Sequence, residues 1–238
     1  MLEEKVVLVT GATGTLGRVV VERLLKKGAK VTVLYRTRER FEELVSFLGI
    51  LSNTLKGVQG DATDETSVRN FVKASMDMYG RIDALLNLVG GYSGGSDVPE
   101  TDQSLWDHML QLNLKSAFLC SKAVLPQMIS QNYGKIVNVA ARTAVERGRR
   151  SRSGAYAVAK AGVIVLTETM AEELKKYDIN VNCVMPSTLD TPDNRRDFPK
   201  ADFSKWVDPR DVAEVVLFMI SDASKTINGA SIPVYGKA

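Results

Sequence analysis

A chain of 238 residues has the length of one large α/β domain, and 31 basic against 28 acidic side chains leave a net charge of +3 with no polybasic tail for nucleic acid. The opening Met1-Leu2-Glu3-Glu4-Lys5 lacks the charged-then-apolar profile of a signal peptide, and no apolar run reaches bilayer length; the expectation is a cytoplasmic protein with neither a nucleic-acid nor a membrane partner. Two cysteines, Cys120 and Cys183, are too few for a disulfide framework and read as core residues, while a single histidine, His108, gives no metal cluster, so no metal is expected.

Apolar β-rich runs alternate with helical patterns from one end to the other. In chain order the pattern predicts a strand at 5–10, a helix at 15–27, a strand at 30–35, a helix at 38–48, a strand at 54–60 and a helix at 64–79. It continues with a strand at 82–88, helices at 101–112 and 113–131, a strand at 134–140, a helix at 153–176, a strand at 179–185, a helix at 208–221 and a strand at 230–234. This alternation predicts a single-domain doubly wound Rossmann fold over 1–238, a seven-stranded parallel sheet flanked by helices on both faces. Continuous apolar runs such as Lys5-Val6-Val7-Leu8-Val9 suit strands covered on both sides. The helix at 208–221 has a clear start, with Asp208 as cap and Pro209 in its first turn.

The first strand runs into Thr10-Gly11-Ala12-Thr13-Gly14-Thr15-Leu16-Gly17 and then a helix. Glycines at 11, 14 and 17 permit a tight turn and close backbone approach, and a pyrophosphate would sit on the helix N-terminus, where free N–H groups and the dipole favour anions. Gly11, Thr13, Gly14, Thr15, Leu16 and Gly17 are the candidate contacts. The next strand ends Leu34-Tyr35-Arg36, without the carboxylate that NAD-selective proteins place there. Arg36, with Arg38 behind it, offers charge-assisted bonds to a 2′-phosphate, so NADP(H) is expected ahead of NAD(H).

Two connections are longer than such units need, 141–152 and 186–207. Each leaves the carboxyl end of a strand, where open α/β sheets bind ligands, so both should border the site. The first carries Arg142, Arg147, Arg149, Arg150 and Arg152, either a solvated charge run or a recognition surface for an anionic carrier. Just beyond it, Tyr156 and Lys160 stand at i and i+4 on one helix face. A neighbouring ammonium favours the phenolate and is expected to lower the tyrosine pKa toward the working pH, as a general acid or base requires.

With these motifs in this order, together with Asn87-Leu88-Val89-Gly90, Asn113 and the segment 186–191, the chain resembles the short-chain dehydrogenase/reductase family over its full length. The resemblance implies that Asp61 and Ala62 contact adenine and that Asn87 stabilises the central strands beside Gly90. It further implies that Lys160 binds the nicotinamide ribose, that Asn113 supports a water relay to Lys160, and that Thr191, beyond Pro186, touches the carboxamide. A small-molecule substrate and a homodimer or homotetramer built through 101–131 and 153–176 are also implied.

Two positions depart from the family pattern. Thr15 stands where the commoner form of the turn has glycine, while Gly14 matches the spacing of an extended subgroup. More consequentially, the strand Lys135-Ile136-Val137-Asn138-Val139 ends in Ala140-Ala141, so Ala141 falls where the family carries a serine that hydrogen-bonds the substrate carbonyl. Thr143, Ser151 and Ser153 are the candidate replacements, and Ala141, Thr143 and Tyr92 the substrate-side candidates. The reading that follows is a reductase of a ketone or 3-oxoacyl compound. The stretch 186–206 resembles dihydropteridine reductase, a member that also has alanine at this position, which implies a quinonoid pterin reductase as the alternative. A dinucleotide-binding protein without turnover is the third.

Overall fold

The computed structural model describes residues 2–237, apart from the side chain of Arg149, whose expected part in the arginine run lies outside the described residues. Seven strands, β1 (Val6–Thr10), β2 (Lys30–Tyr35), β3 (Leu55–Gln59), β4 (Ala84–Asn87), β5 (Gly134–Val139), β6 (Ile179–Pro186) and β7 (Ser231–Val234), form one sheet in the order β3-β2-β1-β4-β5-β6-β7. Every neighbouring pair is parallel. The chain starts at the centre, winds outward to β3, then returns past β1 to β4 and winds the other way. Such a reversal opens a crevice at the carboxyl ends of β1 and β4.

The helices are α1 (Thr15–Lys26), α2 (Arg38–Leu48), α3 (Glu65–Tyr79), α4 (Gln103–Leu110), α5 (Ser116–Ser130), α6 (Gly154–Glu173), α7 (Pro192–Asp197) and α8 (Pro209–Met219). Alternate residues of β1 serve opposite faces, as a period of two demands. Val7 and Val9 pack with Val20 and Leu24 of α1, Leu44 of α2 and Val216 of α8. Val6 and Leu8 join Phe71 of α3, Val124 of α5 and Met170 of α6 in the second core. Both faces are dry, which explains the unbroken apolar runs in the sequence. Capping fixes where the helices begin: the Asp64 carboxylate accepts from Ser67 N at 2.7 Å ahead of α3, and that of Asp208 from Arg210 N at 2.8 Å ahead of α8. Cys120 and Cys183 are buried and free, and His108 is exposed on α4. Among the described residues no helix is long and apolar enough to cross a membrane.

Two stretches differ from the sequence expectation. The predicted junction between helices at 112 and 113 is not a break: α4 runs through a π-helical stretch, Gln111–Lys115, straight into α5. Asn113 lies inside it and donates from Nδ2 both to Met109 O at 3.1 Å and to Gly91 O at 3.0 Å, so its side chain takes over hydrogen bonding that the widened turn gives up. The connection 186–207 holds the short helix α7, which buries none of its residues and so leaves no apolar periodicity to read. Its start is nonetheless capped, Thr191 Oγ1 accepting from Asn194 N at 3.1 Å with Pro192 at the first position.

Candidate active site

The glycine turn is shaped by close approach. Gly11 has φ +69°, and a Cβ there would lie 2.6 Å from the backbone of Leu88; one at Gly17 would lie 2.1 Å from Gly11 O. Both glycines therefore let β1, the turn and α1 pack together at all. Gly14 is different, because it is exposed, and as N-cap it gives α1 no side-chain cap. The first turn also lacks an acidic residue, so its N–H groups and positive dipole end have no competing anion. Gly11, Gly14, Thr15, Leu16 and Gly17 line a cleft of about 650 Å³ that runs across the carboxyl ends of the central strands. A diphosphate fits that donor set.

The same cleft is lined by Gly90, Ala141, Thr143, Ser153, Tyr156, Lys160 and Pro186. Lys160 is buried at 3% exposure, and its Nζ donates to Val139 O at 2.7 Å. A Cβ at Gly90 would stand 2.9 Å from Asn113 Oδ1 and 3.0 Å from Lys160 Nζ, so glycine at 90 is what lets those two groups converge. Asn113 is itself held from above, Gly91 N donating to its Oδ1 at 3.1 Å. Lys160 Nζ lies 5.9 Å from the centre of the Tyr156 ring.

The expected fall in the tyrosine pKa is not found. Burial, reinforced by the neighbouring Tyr92 phenol, pushes Tyr156 up to about 12, and burial brings Lys160 down to about 8. Desolvation outweighs the attraction between the two groups because the amine turns to Val139 O rather than to the phenol. Burial thus keeps the Tyr156 phenol protonated and lowers the pH at which the Lys160 amine loses its proton.

On the substrate side, Ala141 follows directly on β5, whose register with β4 pairs Asn138 with Asn87. Its methyl lines the cleft where a hydroxyl was sought. Of the candidate replacements, Thr143 and Ser153 line the cleft, whereas Ser151 is exposed outside it. Tyr92 also lines it, set edge-on to the Tyr156 ring at 5.2 Å and 89°. The arginine run is partly spent on the loop: Arg150 donates to Ala144 O at 2.6 Å and Thr143 O at 3.3 Å. Arg142 lines the cleft but is paired with Glu146 and stacked 4.9 Å over the Tyr235 ring.

Several other residues singled out from sequence, Thr13, Arg36, Asp61, Ala62, Asn87 and Thr191, are not part of this lining. Asn87 is buried, donating to Asn138 Oδ1 at 2.9 Å and Ser121 Oγ at 3.1 Å, a tie between β4, β5 and α5. Thr13 is half-buried in the turn. Arg36 is exposed at the end of β2 and has no ion-pair partner among the described residues, while Arg38 is tied to Glu42 at 3.0 Å. Asp61 accepts from Thr63 N and Oγ1, each at 2.8 Å, and the Ala62 methyl belongs to the core with Val68 and Phe71. Thr191 caps α7. Sequence reasoning did not single out Asn194 and Phe198, which bring α7 to the cleft wall; the Thr191-Pro192 start signal was the available clue.

The family model for short chain dehydrogenases matches residues 5–202. The 3-oxoacyl-(acyl-carrier-protein) reductase FabG of Thermotoga maritima is 32% identical over 243 residues, spanning 99% of this chain and 98% of that protein. Among solved structures, an actinorhodin polyketide ketoreductase with NADPH superposes with a TM-score of 0.90 at 27% identity, covering 98% of this chain and 96% of that one. An NAD+-bound xylitol dehydrogenase does so with a TM-score of 0.91 at 28% identity, covering 99% of each.

Proposed function

The chain belongs to the short-chain dehydrogenase/reductase family, and from that membership we propose that it is an NADP(H)-preferring oxidoreductase that reduces a small carbonyl compound, with Tyr156 as general acid–base. The observation that carries this reading is convergence: the uncapped glycine turn and the Tyr156/Lys160 pair line one cleft although they are separated by some 140 positions.

A bound nicotinamide dinucleotide would supply the hydride. Gly14, Thr15, Leu16 and Gly17 would hold its diphosphate through backbone N–H groups. Arg36, exposed and without an ion-pair partner among the described residues, would take the 2′-phosphate. Asp61 and Ala62 would serve the adenine, and Thr191, which caps the helix after Pro186, the carboxamide. Tyr156 donates its proton to the substrate oxygen as the alcohol forms. Lys160, titrating near pH 8 and held by Val139 O with Asn113 approaching the same glycine, restores that proton. The carbonyl class is supported by the reductases among the relatives. Exposed apolar side chains on three helices, Trp106, Phe118, Val158 and Val165, support self-association through α4, α5 and α6.

Titrating the protein with NADPH and NADH tests the cofactor assignment. NADPH is expected to bind at least about tenfold more tightly, and Arg36→Ala to erase the difference; equal affinities in the parent remove the role given to Arg36. Oxidation of NADPH with 3-oxoacyl thioesters, simple ketones and a quinonoid dihydropterin then identifies the acceptor, with turnover on the carbonyls expected. Turnover on the dihydropterin alone replaces the carbonyl reading with the imine one, and dinucleotide binding without any turnover leaves a binding protein.

A further inference from the structure

The alanine at 141 leaves the substrate oxygen without the hydroxyl that would ordinarily follow β5, yet the cleft lining carries another beside Tyr156. Tyr92 Oη lies 3.2 Å from Ser153 Oγ, and the Tyr92 ring stands edge-on to that of Tyr156 at 5.2 Å. All three side chains line the cleft.

The segment bearing Tyr92 is clamped onto the residues before α6. Gly95 N donates to Arg152 O at 2.7 Å, and a Cβ at Gly94 would stand 2.6 Å from Arg152 O and 2.8 Å from Tyr92 Oη. Arg152 holds φ +58°, a left-handed conformation that is unfavourable for a non-glycine residue and persists only where the surroundings impose it. Thr143, the other hydroxyl near Ala141, has no hydrogen bond to orient it among the described residues. A donor pays little reorganisation only when it is held beforehand, and Tyr92, though 54% exposed, has both a hydrogen-bond partner and a ring contact where Thr143 has no side-chain partner among the described residues.

We propose that Tyr92 is a further catalytic residue of this enzyme, its phenol donating to the substrate oxygen in place of the hydroxyl missing at Ala141, with Ser153 as its positioning residue. Either hydroxyl can donate across the Tyr92–Ser153 contact, and Ser153 Oγ also has Ser151 O within reach at 3.4 Å; with the Ser153 proton turned to Tyr92 Oη, the single phenolic proton is free for the substrate and strengthened as a donor. Tyr156 then transfers its proton to an oxygen already held from the side by Tyr92. The inference rests on the carbonyl-reductase reading given above.

Steady-state kinetics of Tyr92→Phe test it, since that variant keeps the ring and its packing on Tyr156. Expected is a fall in kcat of about 100-fold with KM and the NADPH dissociation constant changed less than about threefold. Ser153→Ala should cost about five- to tenfold, and the double variant no more than Tyr92→Phe alone, because the two hydroxyls act as one unit. Adding Ala141→Ser to Tyr92→Phe should recover about tenfold or more, which a merely structural tyrosine would not allow. A Tyr92→Phe enzyme within about twofold of the parent in kcat, or one impaired in KM alone, overturns the proposal. Parent turnover that is lost in Tyr156→Phe but indifferent to Tyr92→Phe overturns this inference only. A parent that reduces no carbonyl compound overturns the reading beneath it as well.

Discussion

A lysine and a tyrosine meet at each end of the sheet, and the two pairs are treated in opposite ways. At the amino end Lys5 Nζ donates to Tyr133 Oη at 3.0 Å, Tyr133 donates to Asp222 Oδ1 at 3.0 Å, and Lys5 and Asp222 are 3.6 Å apart. Burial alone would lower the Lys5 pKa, but the Tyr133 hydrogen bond and the Tyr133, Asp222 and Asp83 charges outweigh it and the value rises. Nearby, Asp83 accepts from Val6 N and from both Nε and Nη2 of Arg81. Lys5, Asp222, Arg81 and Asp83 each have a counter-charge there; Lys135 beside them is the exception, buried with Asn180 Oδ1 as its hydrogen-bond partner and its pKa lowered by burial. At the carboxyl end Lys160 has no carboxylate partner among the described residues, and burial drives its pKa down to about 8 while that of Tyr156 climbs to about 12. Similar residue types make a staple in one place and a reactive pair in the other, and the difference is the missing counter-charge.

The sharpest way to break this comparison is to remove the same oxygen from each pair. Tyr156→Phe should lower kcat by a factor of about 100 to 10,000, the usual range for a lost general acid. Tyr133→Phe should leave kcat within about twofold. Equal losses in a steady-state assay would mean that the cleft pair has no chemical privilege over the staple.

Much of this arrangement is legible in the sequence, and the parts that are not share a cause. Continuous apolar runs locate all seven strands, and helical patterning the long helices, within a few residues, because the central strands are covered on both faces and the long helices pack against one core or the other. The glycine turn and the i, i+4 dyad are local, so their spacing is written in the chain. What escapes is set by tertiary contacts between distant segments. The π turn at 111–115 depends on Gly91 meeting Asn113, the Tyr92–Ser153 contact on Gly94 and Gly95 meeting Arg152, and α7 on one cap rather than an apolar face. The lysine effect on Tyr156 was misjudged for the same reason: adjacency on a helix face is visible in sequence, whereas the pull of Val139 O on the amine is not.

A second, smaller effect sharpens the comparison through stability. The unfolded chain keeps the Lys160 proton up to its ordinary 10.5, whereas the folded protein releases it near 8. Between those values the unfolded state binds more of this proton, so Lys160 makes folding stability rise with pH from about 8; from about 9 the raised Cys120 pKa, and from about 10 that of Tyr156, act with the opposite sign, because there the folded state keeps the extra proton. At pH 7 the buried ammonium opposes folding by up to about 3 kcal/mol. Lys160→Met removes that opposition but strands Val139 O, which costs about 1–2 kcal/mol. Urea unfolding at pH 7 should therefore find the variant more stable by about 1–2 kcal/mol, catalytically crippled, and with a smaller rise between pH 8 and 9. A destabilised variant whose pH profile matches the parent would show that the amine is compensated after all.

The smallest effect belongs to the staple. Tyr133→Phe removes the hydroxyl that links Lys5 to Asp222 but keeps the ring, over whose face the Lys5 ammonium lies at 4.3 Å. Lys5 and Asp222 stay within ion-pair distance at 3.6 Å, and Asp222 is more than half exposed, so water and the direct pair replace most of what is lost. The expected destabilisation is about 0.5–1 kcal/mol, the net worth of an ordinary hydrogen bond, with no change in the NADPH dissociation constant. Chemical denaturation reads the first number and cofactor titration the second. A loss of several kcal/mol would mean that the staple also depends on a buried, uncompensated charge, and the contrast between the two pairs would disappear.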